Sequence, residues 1–380
     1  MKILCVDVGT GTQDILLFDT NLHPENSFKL VVPSPTMMLR RHLQAATRQG
    51  NPVLLTGVTM GGGPSHWAAE DHLKQGLPLY ATPAAARSFN DDLDYLQQQG
   101  IQVVSEDEAH HLPHETVHLE SRDFDFGAIQ RALAEFGVSV DDLAAVAVAV
   151  FDHGNAPPNI SDRKFRFDYI AERVQADSRL STFAFSAPDI PLIMTRMKAV
   201  AASAQDVDAP LLLMDTAPAA VAGALLDPQL STYSRLLVAN IGNLHTLTFR
   251  MGMNGIEGTF EHHTGLLDQP KLEGLLRALA DGSLRNEDVF DDHGHGALIV
   301  EPQPYIFPAD GCGVVVTGPR RSMMQGSPLR PYFATPYGDM MLAGCFGLLT
   351  AAADKLPQFS EPIWDALRSN KGRPPWEIEE

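Results

Sequence analysis

Apolar residues recur along the chain in two alternating rhythms. Short, nearly continuous β-prone runs fall at 2–8, 14–19, 27–32, 53–58, 78–82, 115–119 and 143–151. Between them, "TMMLRRHLQAATRQ" (36–49), "SHWAAEDHLKQG" (65–76), "NDDLDYLQQQG" (90–100) and "DFGAIQRALAEFG" (125–137) carry apolar residues at helical spacing, and three of the four stop at a glycine suited to a left-handed cap. Strands that alternate with helices predict an α/β chain built on largely parallel sheets. The stretch 160–207 reads as helical, with proline breaks around "SAPDIP" (186–191).

The pattern then restarts. "PLLLMDTAPAAVAGALLD" (210–227) is a strand followed by a helix of small residues, and 233–265 repeats the plan of 1–32: strand, glycine-containing turn, strand, short turn, strand. A further strand runs into the Gly-Pro turn of "DGCGVVVTGPRR" (310–321), and "GDMMLAGCFGLLTAAAD" (338–354) is a Gly/Ala-rich helix that could pack closely. The expected organisation is a first lobe over 1–165, a helical connection over 166–209 and a second lobe over 210–370.

Composition narrows the function. A chain of 380 residues with 44% apolar and 20% charged residues is ordinary for a two-domain globular protein. Its net charge of −19, from 28 basic against 47 acidic residues, argues against nucleic acid or an anionic membrane as partner and favours small-molecule chemistry. The first residues lead directly into a strand, and the longest apolar runs fall far short of the ~20 residues that span a bilayer, so a cytoplasmic chain is expected. Cys5, Cys312 and Cys345 are widely spaced in apolar or Gly-rich surroundings and read as reduced, buried thiols.

The order of these segments resembles the actin, sugar-kinase and heat-shock-chaperone ATPase superfamily. The resemblance implies two ribonuclease-H-like lobes facing a central cleft that clamps ATP and Mg2+. It places "DVGTGTQD" (7–14) at the turn that holds phosphate and metal, and "NIGNLHT" (240–246) at the second phosphate turn, with Gly242, Asn243, His245 and Thr246. It places "VVVTGPRR" (314–321) at the adenosine, with Gly318 and Arg320, and makes 217–226 and 338–354 the helices that cross at the hinge. More closely, "TGVTMGGGPSHWAAEDHLKQGLPLYATPAAA", "DHGNAPPNISDRKFRF", "NIGNLHTL", "EHHTG" and "HGHGA" resemble a prokaryotic family labelled a pyruvate formate-lyase activating enzyme. A radical activase of that kind needs three closely spaced cysteines for a four-iron cluster, which this chain lacks. Many superfamily members carry an acid before the second turn where this chain has Asn240, which puts fast ATP turnover in doubt more than nucleotide binding.

Read residue by residue, Asp7, Gly9, Thr10, Gly11 and Thr12 suit a phosphate cradle: glycine admits an anion to the backbone, hydroxyls donate, and Asp7 orients Mg2+ through water. An ordinary hairpin likes the same residues. Triple glycine in "TMGGGP" (59–64) precedes a helix N-terminus and could seat an anion. Asp152 and His153 follow an apolar strand, where α/β sheets gather ligands, and are candidates for base or metal ligand, Asp152 as the group that activates the acceptor. Arg163, Lys164 and Arg166 could steer an anion or form a solvated loop. His262, His263, His293 and His295 lie close to His245 and to several carboxylates, a donor set that suits Zn2+, Fe2+ or Mn2+, although packed histidines or a proton-transfer role need no metal. The leading expectation is an ATP-dependent phosphotransferase or ATPase acting on a small molecule. The alternatives are a metal-dependent hydrolase using the histidines, and a nucleotide-gated protein that reactivates a partner enzyme.

Overall fold

The computed structural model describes residues 1–308, 312–368 and 372–377. The chain opens with an antiparallel meander of β1 (Lys2–Val8), β2 (Thr12–Asp19) and β3 (Phe28–Pro33). It then leaves this sheet to build a parallel four-stranded one of its own from β4 (Val53–Gly57), β5 (Leu79–Ala81), β6 (Ile101–Val103) and β7 (Val117–Ser121), in the order β6-β5-β4-β7. It returns through β8 (Leu143–Val150), β9 (Ala184–Ser186) and β10 (Leu211–Asp215) to complete a six-stranded sheet of order β3-β2-β1-β8-β10-β9. A second six-stranded sheet follows from β11 (Leu236–Ile241), β12 (His245–Gly252), β13 (Gly255–His263), β14 (Gly296–Ile299), β15 (Val314–Thr317) and β16 (Tyr332–Phe333), in the order β14-β13-β12-β11-β15-β16.

Both sheets share one plan: a three-stranded antiparallel meander whose first strand is then joined by parallel strands, β8 and β10 in one, β15 and β16 in the other. This is the ribonuclease-H-like topology, twice. It moves one expected boundary. Residues 211–215 open the second lobe in the sequence reading but lie in the first sheet, because the apolar run Leu211–Met214 pairs in parallel with Val146–Ala149. Nor is 166–209 a separate connection. The helix Asp162–Ala176 buries Phe167, Ile170 and Val174 in the second lobe's core, whereas the helix Thr195–Ser203 buries Met197 and Val200 in the first.

Side-chain alternation sets what covers each sheet face. Along β8, Ala145, Ala147 and Ala149 face one side and Val146, Val148 and Val150 the other. The alanine side is shallow, and onto it packs the helix Ala343–Lys355, with Phe346, Leu348 and Leu349 completing the first lobe's core. That helix follows the end of the second sheet. Conversely the helix Thr216–Ala224 leaves β10 of the first sheet and lends Ala217, Val221 and Ala222 to the second lobe's core. The two helices cross at glycines: a Cβ on Gly223 would lie 1.7 Å from the Ala343 carbonyl oxygen, and one on Gly347 would lie 1.8 Å from that of Ala219. Small residues at 217–226 and 338–354 thus interlock the lobes, as the superfamily resemblance implies.

Candidate active site between the lobes

A cavity of about 350 Å³ lies where the two sheets face each other. Each sheet contributes the same turn. In the first lobe the Gly9 N–H donates to the Thr12 carbonyl at 2.9 Å, and in the second the Gly242 N–H donates to the His245 carbonyl at 3.0 Å. The turns meet tip to tip, since a Cβ on Gly11 would come within 3.1 Å of the Asn243 Nδ2. Ser34 occupies two acceptors of the first turn, its hydroxyl donating to the Thr10 carbonyl at 2.6 Å and its N–H to that of Gly11 at 3.2 Å. Two oxygens that would repel an anion are thereby engaged. Gly61, Gly62 and Gly63 form another wall. Glycine is required there: a Cβ on Gly62 would lie 2.3 Å from the Ser88 carbonyl oxygen, and Gly63 holds φ at +53° at the N-terminus of the helix Pro64–Lys74.

The floor is acidic. Asp7 is the last residue but one of β1 and is buried; its Oδ1 accepts from the Thr216 hydroxyl at 2.6 Å, and a Cβ on Gly344 would strike its Oδ2. Burial, reinforced by the nearby Asp215 and opposed by the Thr216 hydrogen bond, pushes its pKa up to about 7. Directly across the hairpin, Asp14 pairs in register with Asp7. Burial first and the Asp7 charge second push Asp14 up to about 8, and its Oδ1 has no hydrogen-bond partner. Two buried carboxylates, one with an orphaned oxygen, fit a hard divalent cation. Sequence reading singled out Asp7 and missed Asp14, although the two flank the turn symmetrically.

Other expected residues take different places. Asp152 lines the cavity, but its Oδ1 accepts the Gly154 N–H at 2.9 Å and its Oδ2 the Met197 N–H at 2.8 Å. The carboxylate meant to activate an acceptor instead fastens a loop to a helix start. His153 is half-exposed at the cavity wall, its Nε2 3.9 Å from Asp91. Thr317 and Gly318 line the cavity; Gly318 holds φ at +91°, and a Cβ there would lie 2.6 Å from the Asn240 Oδ1 and from the Ile241 carbonyl oxygen. Arg320 is exposed and does not line the cavity, and Thr246 is buried against the Thr264 hydroxyl at 2.9 Å. Arg166 is neither solvated nor free to steer an anion. Fully buried, it pairs with Asp215 of the first sheet at 2.8 Å and with Glu261 of the second at 2.7 Å. Arg163 donates to the carbonyls of Phe290 and Gly294, and only Lys164, paired with Asp168, is at the surface.

The histidines separate into two groups. His245, His263 and His295 come together, one ring nitrogen from each within 4.8 Å of the others. His245 and His263 are register partners across β12 and β13, and the His295 N–H donates to the Glu261 carbonyl at 2.9 Å, which sets it beside them. The His245 ring stacks on Phe151 at 4.2 Å and 4°, and the Arg166 guanidinium lies 3.9 Å from the centre of the same Phe151 ring. Burial holds all three imidazoles below their ordinary pKa, His295 down to about 2 with Arg166 adding to the effect. His262 departs from the expected set because successive strand residues face opposite ways: its Nε2 lies 3.1 Å from Asp292. His293 is exposed at φ +64°, outside the cluster.

Two ribonuclease-H-like lobes, interlocked by crossing helices and facing each other through matched glycine turns, define the actin-like ATPase fold. Within it, a family model described as "Putative pyruvate format-lyase activating enzyme" matches residues 60–323, and the chain belongs to that family. No curated protein matches the sequence. Among solved structures, the chain is similar to an activator of the 2-hydroxyisocaproyl-CoA dehydratase from Clostridium difficile with bound ADPNP, at 10% identity, 95% and 98% coverage of the two chains and a TM-score of 0.34. It is also similar to a ROK hexokinase from Thermus thermophilus, at 13% identity, 97% and 86% coverage and a TM-score of 0.27. Likenesses this distant say nothing about activity.

The family description does not fit the cysteines. Cys5 and Cys345 are buried in the first lobe's core, the Cys345 thiol donating to the Asp14 carbonyl at 3.1 Å, and burial pushes both thiols up. Cys312 packs against the second lobe's core. Three thiols so divided cannot hold one iron–sulfur cluster. Among the described residues, no helix is long and apolar enough to cross a membrane.

Proposed function

We propose that this protein is a cytoplasmic, Mg2+-dependent nucleotide-binding enzyme that hydrolyses ATP or transfers its terminal phosphate to a small acceptor. The observation that carries this reading is the meeting of the two glycine turns over the Asp7–Asp14 pair. Asp7 and Asp14 would hold Mg2+, which supplies the positive charge that two buried acids and a polyphosphate both need. The turns at Gly9–Thr12 and Gly242–His245 would approach the phosphates from opposite sides, and Thr317–Gly318 would meet the nucleoside. The wall at Gly61–Gly63, beside a helix N-terminus, suits an anionic acceptor.

Asn240 favours a second reading of the same site. It holds in the second lobe the place that Asp7 holds in the first and supplies no charge, so binding would outlast hydrolysis, as suits a nucleotide-gated protein that acts on a partner enzyme. Calorimetric titration of the metal-stripped chain with ATP and Mg2+ tests what the two readings share. Saturable binding that weakens at least tenfold in Asp7→Ala, about 1.4 kcal/mol, is expected; no binding at millimolar nucleotide would overturn both. Turnover raised by a small metabolite selects the phosphotransferase, and turnover that needs a second protein selects the gate.

A further inference from the structure

We infer that His245, His263 and His295 form a binding site for a first-row transition-metal dication, Zn2+ or Fe2+, in the second lobe at the edge of the interlobe cavity. The geometry carries this. Three imidazoles, from β12, from β13 and from the residue just before β14, converge with ring centres 4.7–5.1 Å apart. Nitrogens on a tetrahedral zinc at ~2.05 Å lie ~3.3 Å apart, so the observed spacing, within 4.8 Å, closes by modest side-chain rotation. The Nδ1 of His295 is buried without a hydrogen-bond partner, which is costly for a polar atom unless something binds it.

The surroundings suit a borderline dication. Behind the rings the carboxylates of Glu261 and Asp215 share the single Arg166 guanidinium. Glu261 sits beside His295, its Oε2 3.9 Å from Nδ1, and adds a negative charge next to the site. Stacking on Phe151 fixes the plane of His245. An all-imidazole set selects Zn2+ or Fe2+ over Mg2+, which prefers oxygen, so this site and the acidic floor would take different ions. Coordination positions left by three histidines would be filled by water or by an oxygen of a molecule in the cavity, whose wall includes His245. The inference stands whether or not the protein binds nucleotide.

Cobalt(II) tests it, with excess Mg2+ present to occupy the acids and no nucleotide. The metal-stripped full chain should bind one Co2+ with the intense visible bands of a four- or five-coordinate nitrogen site. His263→Gln and His295→Gln should lose those bands and weaken Co2+ binding at least 100-fold, whereas exposed His293→Asn should keep both. If buried His295→Gln fails to fold, judged by its circular dichroism, half-buried His263→Gln carries the test. Absence of the bands in the wild-type chain, only the faint spectrum of oxygen-bound octahedral cobalt, or full retention in His263→Gln would overturn the site.

Discussion

The two hairpins of this protein are the same device with opposite chemistry. Each begins with a glycine whose N–H closes on the residue three further on, and in each the residues two before and two after that closure face each other across the strands. In the first lobe those positions are Asp7 and Asp14; in the second they are Asn240 and Leu247. Where the first turn ends in Thr12, the second ends in His245, whose cross-strand partner is His263. One topology therefore presents hard carboxylate oxygens on one side of a cavity and neutral imidazoles on the other. A shared fold fixes where groups meet, and the few residues at the turn fix which ions they attract.

The tie between the halves is the most vulnerable point. Arg166 joins Asp215 of the acidic lobe to Glu261 behind the histidines, and Arg166→Met would leave two buried carboxylates unpaired. A loss of about 3–5 kcal/mol of stability is expected, read as a lower midpoint in urea denaturation; an unchanged midpoint would mean that the lobes do not depend on this link.

Asp14→Asn tests whether the first lobe's charge exists for a cation. In the folded, metal-free protein Asp14 keeps its proton up to about pH 8, whereas the unfolded chain gives it up near 3.8. The folded state therefore binds the extra proton between those values, and the metal-free protein loses stability as pH rises through that window. The variant should flatten that decline and melt higher than wild type at alkaline pH in EDTA, while its Mg2+-nucleotide affinity falls about tenfold, ~1.4 kcal/mol. Equal affinity for nucleotide would remove Asp14 from the site. A smaller effect is expected from Asn240→Asp, which gives the second turn the acid it lacks. Its turnover of Mg2+-ATP should rise several-fold, ~1 kcal/mol of barrier, and steady-state phosphate release measures it.

Much of this was legible beforehand, and the misses have physical causes. Repetition of strand, glycine turn and strand at 1–32 and 233–265 shows the two hairpins, the Gly/Ala content of 338–354 shows a helix able to pack closely, and the superfamily resemblance implies its crossing with 217–226. The separation of His262 from His263 was also readable, since neighbours on a strand point to opposite faces. Asp14 could have been paired with Asp7 by counting outward from the turn. His295 could not be placed in the same way. It reaches His263 only because β14 pairs with β13 after an excursion of some thirty residues through the helices Gln269–Asp281 and Asn286–Phe290. Arg166 misled because a basic cluster after a strand looks solvated until its two partners, forty-nine and ninety-five residues away, are known.

By itself the sequence determined what local physics encodes: which segments extend or coil, where glycine bends the chain, which lobe carries the acids and which the imidazoles. The tertiary structure decided what depends on pairing between distant strands. It assigned β10 to the first sheet, exchanged the two closing helices between lobes, turned Asp152 from an expected base and Arg166 from an expected loop cation into ties, and gathered three histidines of fourteen around one point. Periodicity reports burial along one strand or helix, whereas these groupings arise between elements, where only the packed fold brings the side chains together.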